Sequence, residues 1–282
     1  GLRDGDRVML VSENRPEWGL ADLAIMSAGA ITVPAYTTNT VADHIHIIAD
    51  SDPRVAIVSN ARLAERLLPA IRNTGSIKTV VTMEGAGGES DGVSIINWRD
   101  LHDAGAKTPD DVADTITATQ RTDTSCLIYT SGTSGTPKGV LHAQRAAIGR
   151  TPMYKGWYGM FSADRLLHAG AFNWTYTLGV GLMDPWANGA TSLVYDGPRD
   201  PEIWPGLIES CKATLFAAVP SLYRRLLKYG DVDTGSFPFL RHGLTAGEAL
   251  PAGLHDEWVE HTGRPLYEAL GMSEISTYIS SG

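Results

Sequence analysis

The sequence predicts an α/β fold, a parallel sheet with helices on its faces, and three observations carry that prediction. Short β-prone runs alternate with amphipathic helical stretches, the order that crossover connections between parallel strands require. The 282 residues are 43% hydrophobic, ample for a sizeable core in one large or two closely packed α/β units. No internal repeat or low-complexity tract interrupts the alternation.

Taken in order, residues 16–28 place Trp18, Leu20, Leu23, Ala24 and Met26 at helical spacing, and Asn14, Arg15, Pro16 and Glu17 supply a helix start with proline in the first turn. Short apolar runs at 30–34, 55–58 and 77–81 read as strands, and 41–49 and 63–72 as helices. Residues 84–92 read as an exposed turn, and 107–121 as a polar connector leading to a β-prone run at 124–128. Beyond it the spacing predicts helices at 143–148, 176–188, 201–211, 221–228 and 254–261. Strands are predicted at 165–168, 191–195, 214–219, 242–245 and 265–270.

A formal charge of −9 with no basic run argues against nucleic acid or an anionic membrane as a partner. Cys126 and Cys211 are too few and too dispersed for a disulfide framework or a zinc site, so a reducing, cytoplasmic setting is expected. No run approaches the eighteen apolar residues of a membrane span, and the start does not read as a signal peptide. Gly1, not Met, stands first, so the chain reads as a piece of a longer protein.

The strongest chemical signal is the loop at 129–139, Tyr129, Thr130, Ser131, Gly132, Thr133, Ser134, Gly135, Thr136, Pro137, Lys138 and Gly139. Its glycines let backbone N–H groups turn toward one centre, five hydroxyls add donors, and Lys138 adds a cation, a set that suits a polyphosphate. A Walker A loop needs its lysine directly after the second glycine, whereas Thr136 and Pro137 intervene here. The spacing therefore argues against a P-loop kinase or GTPase.

This loop resembles the signature of the adenylate-forming superfamily, which holds acyl- and aryl-CoA ligases, peptide-synthetase adenylation domains and luciferase. The resemblance spans essentially the whole chain and is nearest to benzoate-type and medium-chain acyl-CoA ligases, through Asp184, Pro185, Trp186, Ala187, Asn188, Gly189 and Ala190. It implies two stacked, predominantly parallel sheets with helices between and outside them. That is the large N-terminal domain of the family, here incomplete over 1–282, with a first α/β part to about residue 120 and the phosphate loop and nucleotide/acyl part from 121.

By the same resemblance Thr130, Ser131, Gly132, Thr133, Ser134, Gly135, Thr136 and Lys138 bind the β- and γ-phosphates of ATP, Lys138 as a binding residue and not as the catalytic lysine. Gly247, Glu248, Ala249 and Leu250 match the adenine-pocket segment at the carboxyl end of a predicted strand, where open α/β sheets bind ligands. Leu270, Gly271, Met272, Ser273 and Glu274 match the family's Tyr-Gly-x-Thr-Glu motif, with Leu270 in place of an aromatic ring and Ser273 in place of threonine. Ser273 and Glu274 are the catalytic residues this implies, Ser273 at the α-phosphate and Glu274 as a ligand of Mg²⁺; one carboxylate with phosphates and water suffices for that ion. Phe172, Trp174, Thr175, Tyr176, Ala269, Thr277 and Tyr278 are the candidates for contact with the acid, and an aromatic, uncharged pocket favours an aryl or medium-length acid. None of the eight histidines is assigned a catalytic or metal role.

The expected reaction joins a small carboxylic acid to coenzyme A in two steps, through attack on the α-phosphorus of ATP and then transfer of the acyl group to the CoA thiol. The family's ribose-binding aspartate, hinge and catalytic lysine lie beyond the third motif, in part on a small C-terminal domain, and the sequence stops at Gly282. The chain alone is therefore expected to bind ATP weakly and to form adenylate at no useful rate. A homodimer stays open. So do an adenylation domain that loads a carrier protein, which exchange with amino acids would reveal, and a non-catalytic nucleotide-binding protein, which calorimetry with Mg-ATP would test. Luciferase activity has no positive support in the sequence.

Overall fold

The computed structural model describes residues 2–109, 112–130 and 135–280, with Tyr278 described in its backbone alone. The chain divides into two units, Gly1–Arg145 and Ala146–Gly282. In the first, the elements are β1 (Arg7–Val11), α1 (Pro16–Ser27), β2 (Ile31–Ala35), α2 (Val41–Ser51), β3 (Val55–Val58), α3 (Ala61–Thr74), β4 (Thr79–Thr82), β5 (Gly88–Ser90), β6 (Val93–Asn97), α4 (Trp98–Gly105), α5 (Val112–Ala118), β7 (Thr124–Thr130) and β8 (Lys138–Ala143). Its sheet runs β5-β6-β4-β3-β1-β2-β7-β8. It is parallel apart from the antiparallel pairs β5–β6 and β7–β8 at its edges.

The central strand β1 reads Arg-Val-Met-Leu-Val, and all but Arg7 are buried, the continuous apolar run of a strand covered on both faces. Such a short run cannot be told from buried helix by periodicity, and the sequence reading passes over it. In α2 the helix start is a capping box: the Thr40 hydroxyl accepts from the Asp43 N–H at 3.3 Å and the Asp43 carboxylate accepts from the Thr40 N–H at 2.8 Å. Asn60 caps α3 through the Leu63 N–H at 3.1 Å. Met9, Val33, Val58, Leu67 and Ile71 form the centre of the core beneath this sheet.

Several expectations need correction. In α1 the buried face is Trp18, Ala21, Asp22 and Ile25, while Leu20 and Leu23 face solvent. The stretch 84–92 contains the edge strand β5, and the connector 107–121 contains α5. Neither α4 nor α5 has a fully buried residue, and the sequence reading marks neither.

The buried carboxyl of Asp22 is the unusual member of this core. Burial pushes its pKa up from 3.8 to about 6, against the opposing pull of the Thr32 hydroxyl. The raised value means that the native state keeps a proton the unfolded chain has lost between those two pH values. Stability on this account falls as pH rises through that window and is flat above it. Asp22→Asn is thus expected to stabilise the protein at pH 7.5 by up to roughly 3 kcal/mol, with the gain vanishing near pH 4. Urea midpoints of parent and variant at both pH values check this.

The second unit carries α6 (Arg145–Gly149), which begins at the unit boundary, then α7 (Thr151–Gly156), β9 (Arg165–His168), α8 (Thr175–Leu178), a π-helical turn (Gly179–Met183), α9 (Asp184–Ala187) and β10 (Thr191–Leu193). There follow α10 (Ile203–Ser210), β11 (Leu215–Ala218), α11 (Pro220–Tyr229), β12 (His242–Thr245), α12 (Leu254–Thr262), β13 (Leu266–Met272) and β14 (Ser276–Ser280). Its sheet runs β10-β9-β11-β12-β13-β14, parallel except for the terminal pair β13–β14.

The single helix expected at 176–188 is broken into α8, the π turn and α9. Two glycines there accept close neighbours: a Cβ on Gly179 would lie 2.5 Å from the Arg150 guanidinium carbon, and one on Gly181 would lie 2.8 Å from the His168 Cβ. Beneath the sheet, Tyr223 and Trp258 meet edge to face at 4.8 Å, and Trp258 stacks on Phe237. Among the described residues no helix is long and apolar enough to cross a membrane.

Candidate functional site

The loop at 129–139 leaves β7 at Thr130 and re-enters the sheet as β8 at Lys138, and these two residues are cross-strand partners. Ser131, Gly132, Thr133 and Ser134 lie outside the described residues. Gly135 adopts φ +91°, and Gly135, Thr136 and Lys138 are exposed. The loop's base is tied to α2 at two points. The His46 ring meets the Pro137 carbonyl at 2.8 Å, so Nε2 carries the proton and donates. The Tyr129 hydroxyl donates to Asp50 at 2.6 Å; burial and then the neighbouring Asp50 charge raise the Tyr129 pKa, so it stays a phenol. Lys138 thereby leaves a loop base tied to α2 on both sides, and its side chain is exposed.

In the second unit a cavity of about 320 Å³, its open mouth included, lies at the carboxyl ends of β12 and β13. Trp174, Thr175 and Tyr176 form one wall, Ala246 and Gly247 another, and Gly271, Met272, Ser273, Ser276 and Thr277 the third. Trp174 and Tyr176 meet edge to face at 5.2 Å. Gly247 has φ +92°, and a Cβ there would come within 2.5 Å of the Trp174 ring, so glycine is required twice over.

Behind Tyr176, edge-on at 4.5 Å, stands His168. Its Nδ1 accepts the Gly170 N–H at 2.9 Å and burial lowers its pKa to about 3, so it adds no charge to this wall. Phe172 is buried and is not among the cavity's lining residues, and neither is Ala269, a core residue of the same unit.

Glu248 and Ala249 are exposed; Glu248 accepts from the Ser221 hydroxyl at 3.0 Å. Leu250 is half-buried, its N–H held by the Glu268 carboxylate at 2.8 Å. Leu270 and Met272 are exposed on β13. Ser273 and Glu274 sit in the turn between β13 and β14, Ser273 at the cavity and Glu274 exposed to solvent. Among the described residues no group of three His, Cys, Asp or Glu stands together. One free carboxylate beside a hydroxyl fits Mg²⁺, which takes its remaining ligands from phosphate and water, and does not fit a zinc or calcium cage.

The sequence reading missed the polar cluster beneath this turn. Arg150, 8% exposed, donates from Nε to the two oxygens of Asp184 at 2.9 and 3.0 Å and from Nη2 to Asp184 Oδ2 at 2.6 Å. Tyr158 accepts from Arg150 at 3.0 Å and donates to Asp184 at 2.5 Å, while Arg150 Nη1 donates to the Ser276 hydroxyl. Burial works against the guanidinium charge, but Tyr158 and Asp184 more than offset it and its pKa is raised. No spacing rule links residues so far apart in the chain.

Residues 1–281 match the AMP-binding enzyme family. This chain belongs to that family. The AMP-binding chain is 31% identical over 97% of its length to a 3-hydroxybenzoate–CoA ligase from Aromatoleum sp. (strain CIB), covering 50% of that protein. It is 30% identical over 97% of its length to the human mitochondrial acyl-coenzyme A synthetase ACSM5, covering 46% of it. Among solved structures, an anthranilate CoA ligase in complex with anthranoyl-AMP superposes with a TM-score of 0.82 at 26% identity, over 99% of this chain and 52% of that one. The chain thus spans about half the length of the relatives it matches.

Proposed function

We propose that the protein carrying this AMP-binding chain is an AMP-forming carboxylic acid–CoA ligase that uses ATP, Mg²⁺ and coenzyme A and acts on an aromatic or medium-chain acid. The observation that carries this reading is the cavity that has an aromatic wall and no charged lining residue and whose rim, at Ser273, adjoins the Glu274 turn. An uncharged aromatic wall suits an apolar acyl group, and an exposed carboxylate beside a hydroxyl suits a metal-bound phosphate. The named relatives, an aryl-CoA ligase and an acyl-CoA synthetase, support it.

In this reading Thr130, Ser131, Gly132, Thr133, Ser134, Gly135, Thr136 and Lys138 hold the β- and γ-phosphates by hydroxyls, backbone N–H groups and one cation. Gly247, Glu248, Ala249 and Leu250, with Leu270, Gly271 and Met272, receive the nucleoside. Ser273 donates to the α-phosphate and Glu274 holds Mg²⁺, which when bound neutralises charge on phosphate oxygens. Trp174, Thr175, Tyr176 and Thr277 receive the acid, with Phe172, Ala269 and Tyr278 assigned to the same group.

Attack of a carboxylate on a triphosphate brings like charges together. The protein's task is then positioning and electrostatic stabilisation, and no side chain need act as nucleophile. Two free cysteines support a reducing, cytoplasmic setting.

The test is release of AMP by the full-length protein, with and without CoA, over benzoates and C6–C10 fatty acids. Release that requires both an acid of these classes and CoA is the expected result. Exchange of pyrophosphate with amino acids alone would instead favour an adenylation domain that loads a carrier protein.

A further inference from the structure

We propose that Ser276, held by the buried Arg150, is a specificity determinant that selects aromatic acids bearing a hydrogen-bond acceptor on the ring. The inference rests on reading the cavity as the acyl pocket and adds to it the polar character of the substrate.

The argument starts from the chemistry of the guanidinium. Arginine has donors and no acceptor. Nε and Nη2 of Arg150 are spent on Asp184 and Tyr158, and the Tyr158 hydroxyl proton is in turn spent on Asp184. Nη1 remains and donates to the Ser276 oxygen. That oxygen is therefore an acceptor toward Arg150, and its own proton must point away from the guanidinium.

Ser276 lines the cavity, and among the described residues no protein acceptor receives that proton. Ser276 also holds φ +57° at the start of β14, a left-handed backbone that fixes where its side chain leaves the chain. Arg150 is itself held on four sides: by Asp184, by Tyr158, by Ser276, and by Gly179, whose missing Cβ leaves room for the guanidinium. Beside the hydroxyls of Thr175, Ser273 and Thr277, the cavity lining thus includes one O–H donor, Ser276, whose oxygen is held by a buried guanidinium. A donor to a ligand that is backed by a cation is stronger than a free serine, and an acid without an acceptor leaves it unpaired.

The experiment measures equilibrium binding of ring-substituted benzoates to the full-length protein by calorimetry, without ATP. Each hydroxybenzoate isomer (2-, 3- and 4-) is paired with the methylbenzoate of the same shape. At one ring position the hydroxy acid is expected to bind about tenfold more tightly than its methyl isostere, the scale of one hydrogen bond to a charge-backed donor. Ser276→Ala is expected to bring that ratio to about one while leaving methylbenzoate binding within about twofold. Arg150→Lys keeps the charge but cannot span Asp184 and Ser276 together, and it is expected to lose the same ratio, with no further loss in the double variant.

A ratio near one at all three positions in the parent, a ratio that survives Ser276→Ala, or no binding of any of these acids would overturn the proposal. AMP release run in parallel separates the two readings. Failure of every acid to support AMP release would sink the ligase reading, and the binding ratio would still report on Ser276.

Discussion

Glu274→Gln in the full-length protein is expected to slow acid-dependent pyrophosphate exchange by about 10²–10³-fold, the scale of removing one electrostatic contact to the charge that develops in a transition state. Glutamine keeps the size and the hydrogen-bonding reach of the side chain, and the side chain is exposed in the 273–275 turn, so folding should be untouched. What is lost is the formal charge, and with it affinity for a hard cation. The loss should therefore be partly recovered by raising Mg²⁺, and the Mg²⁺ concentration for half-maximal rate should rise by at least about tenfold. Exchange within threefold of the parent at every Mg²⁺ concentration would show that Glu274 holds no metal in the reaction. The same series with Ser273→Ala should lower the rate without moving the Mg²⁺ dependence, because a neutral hydroxyl contributes a hydrogen bond and no charge.

The parts of the fold and of the candidate site that can be read in the sequence are those whose signal is local. The loop at 129–139 announces itself because glycines, hydroxyls and a lysine crowd one short segment after a strand, and β7 and β8 do flank it. Gly247 follows a strand of the parallel sheet, where such sheets keep their ligands, while Ser273 and Glu274 are named by the motif resemblance; Gly247 and Ser273 line one cavity. The illegible parts are non-local or lack a periodic signal. β1 is a short buried run with no alternation, α5 has no buried face, and Leu20 and Leu23 look like core while Asp22 takes the inward position. In the cavity the sequence named Thr277 and passed over Ser276, since nothing in the run Ser276-Thr277 says which side chain a distant arginine will hold. Phe172, which the resemblance also names, is buried and lies outside the cavity's lining, and its neighbourhood to the pocket segment does not reveal that in the sequence.

The buried cluster yields the second large effect, on stability. Arg150→Met is expected to cost about 3–5 kcal/mol, since it strands the Asp184 carboxylate in a site where that side chain is 1% exposed. Asp184→Leu should cost a similar amount by stranding the guanidinium. The double variant should be less destabilised than either single one, because two apolar groups replace two charges and neither is left unpaired. It should still fall short of the parent by about 1–3 kcal/mol, as the buried Tyr158 hydroxyl then loses both its donor and its acceptor. Urea unfolding of the four proteins measures the cycle through the midpoint and slope. Additive losses would mean that the two charges are not energetically coupled despite their contact at 2.6 Å. The same double variant separates fold from site. It restores a neutral core but leaves Ser276 without its donor, so a well-folded double variant that no longer distinguishes hydroxybenzoate from methylbenzoate would place the cluster's value in how it orients the cavity rather than in the stability it adds.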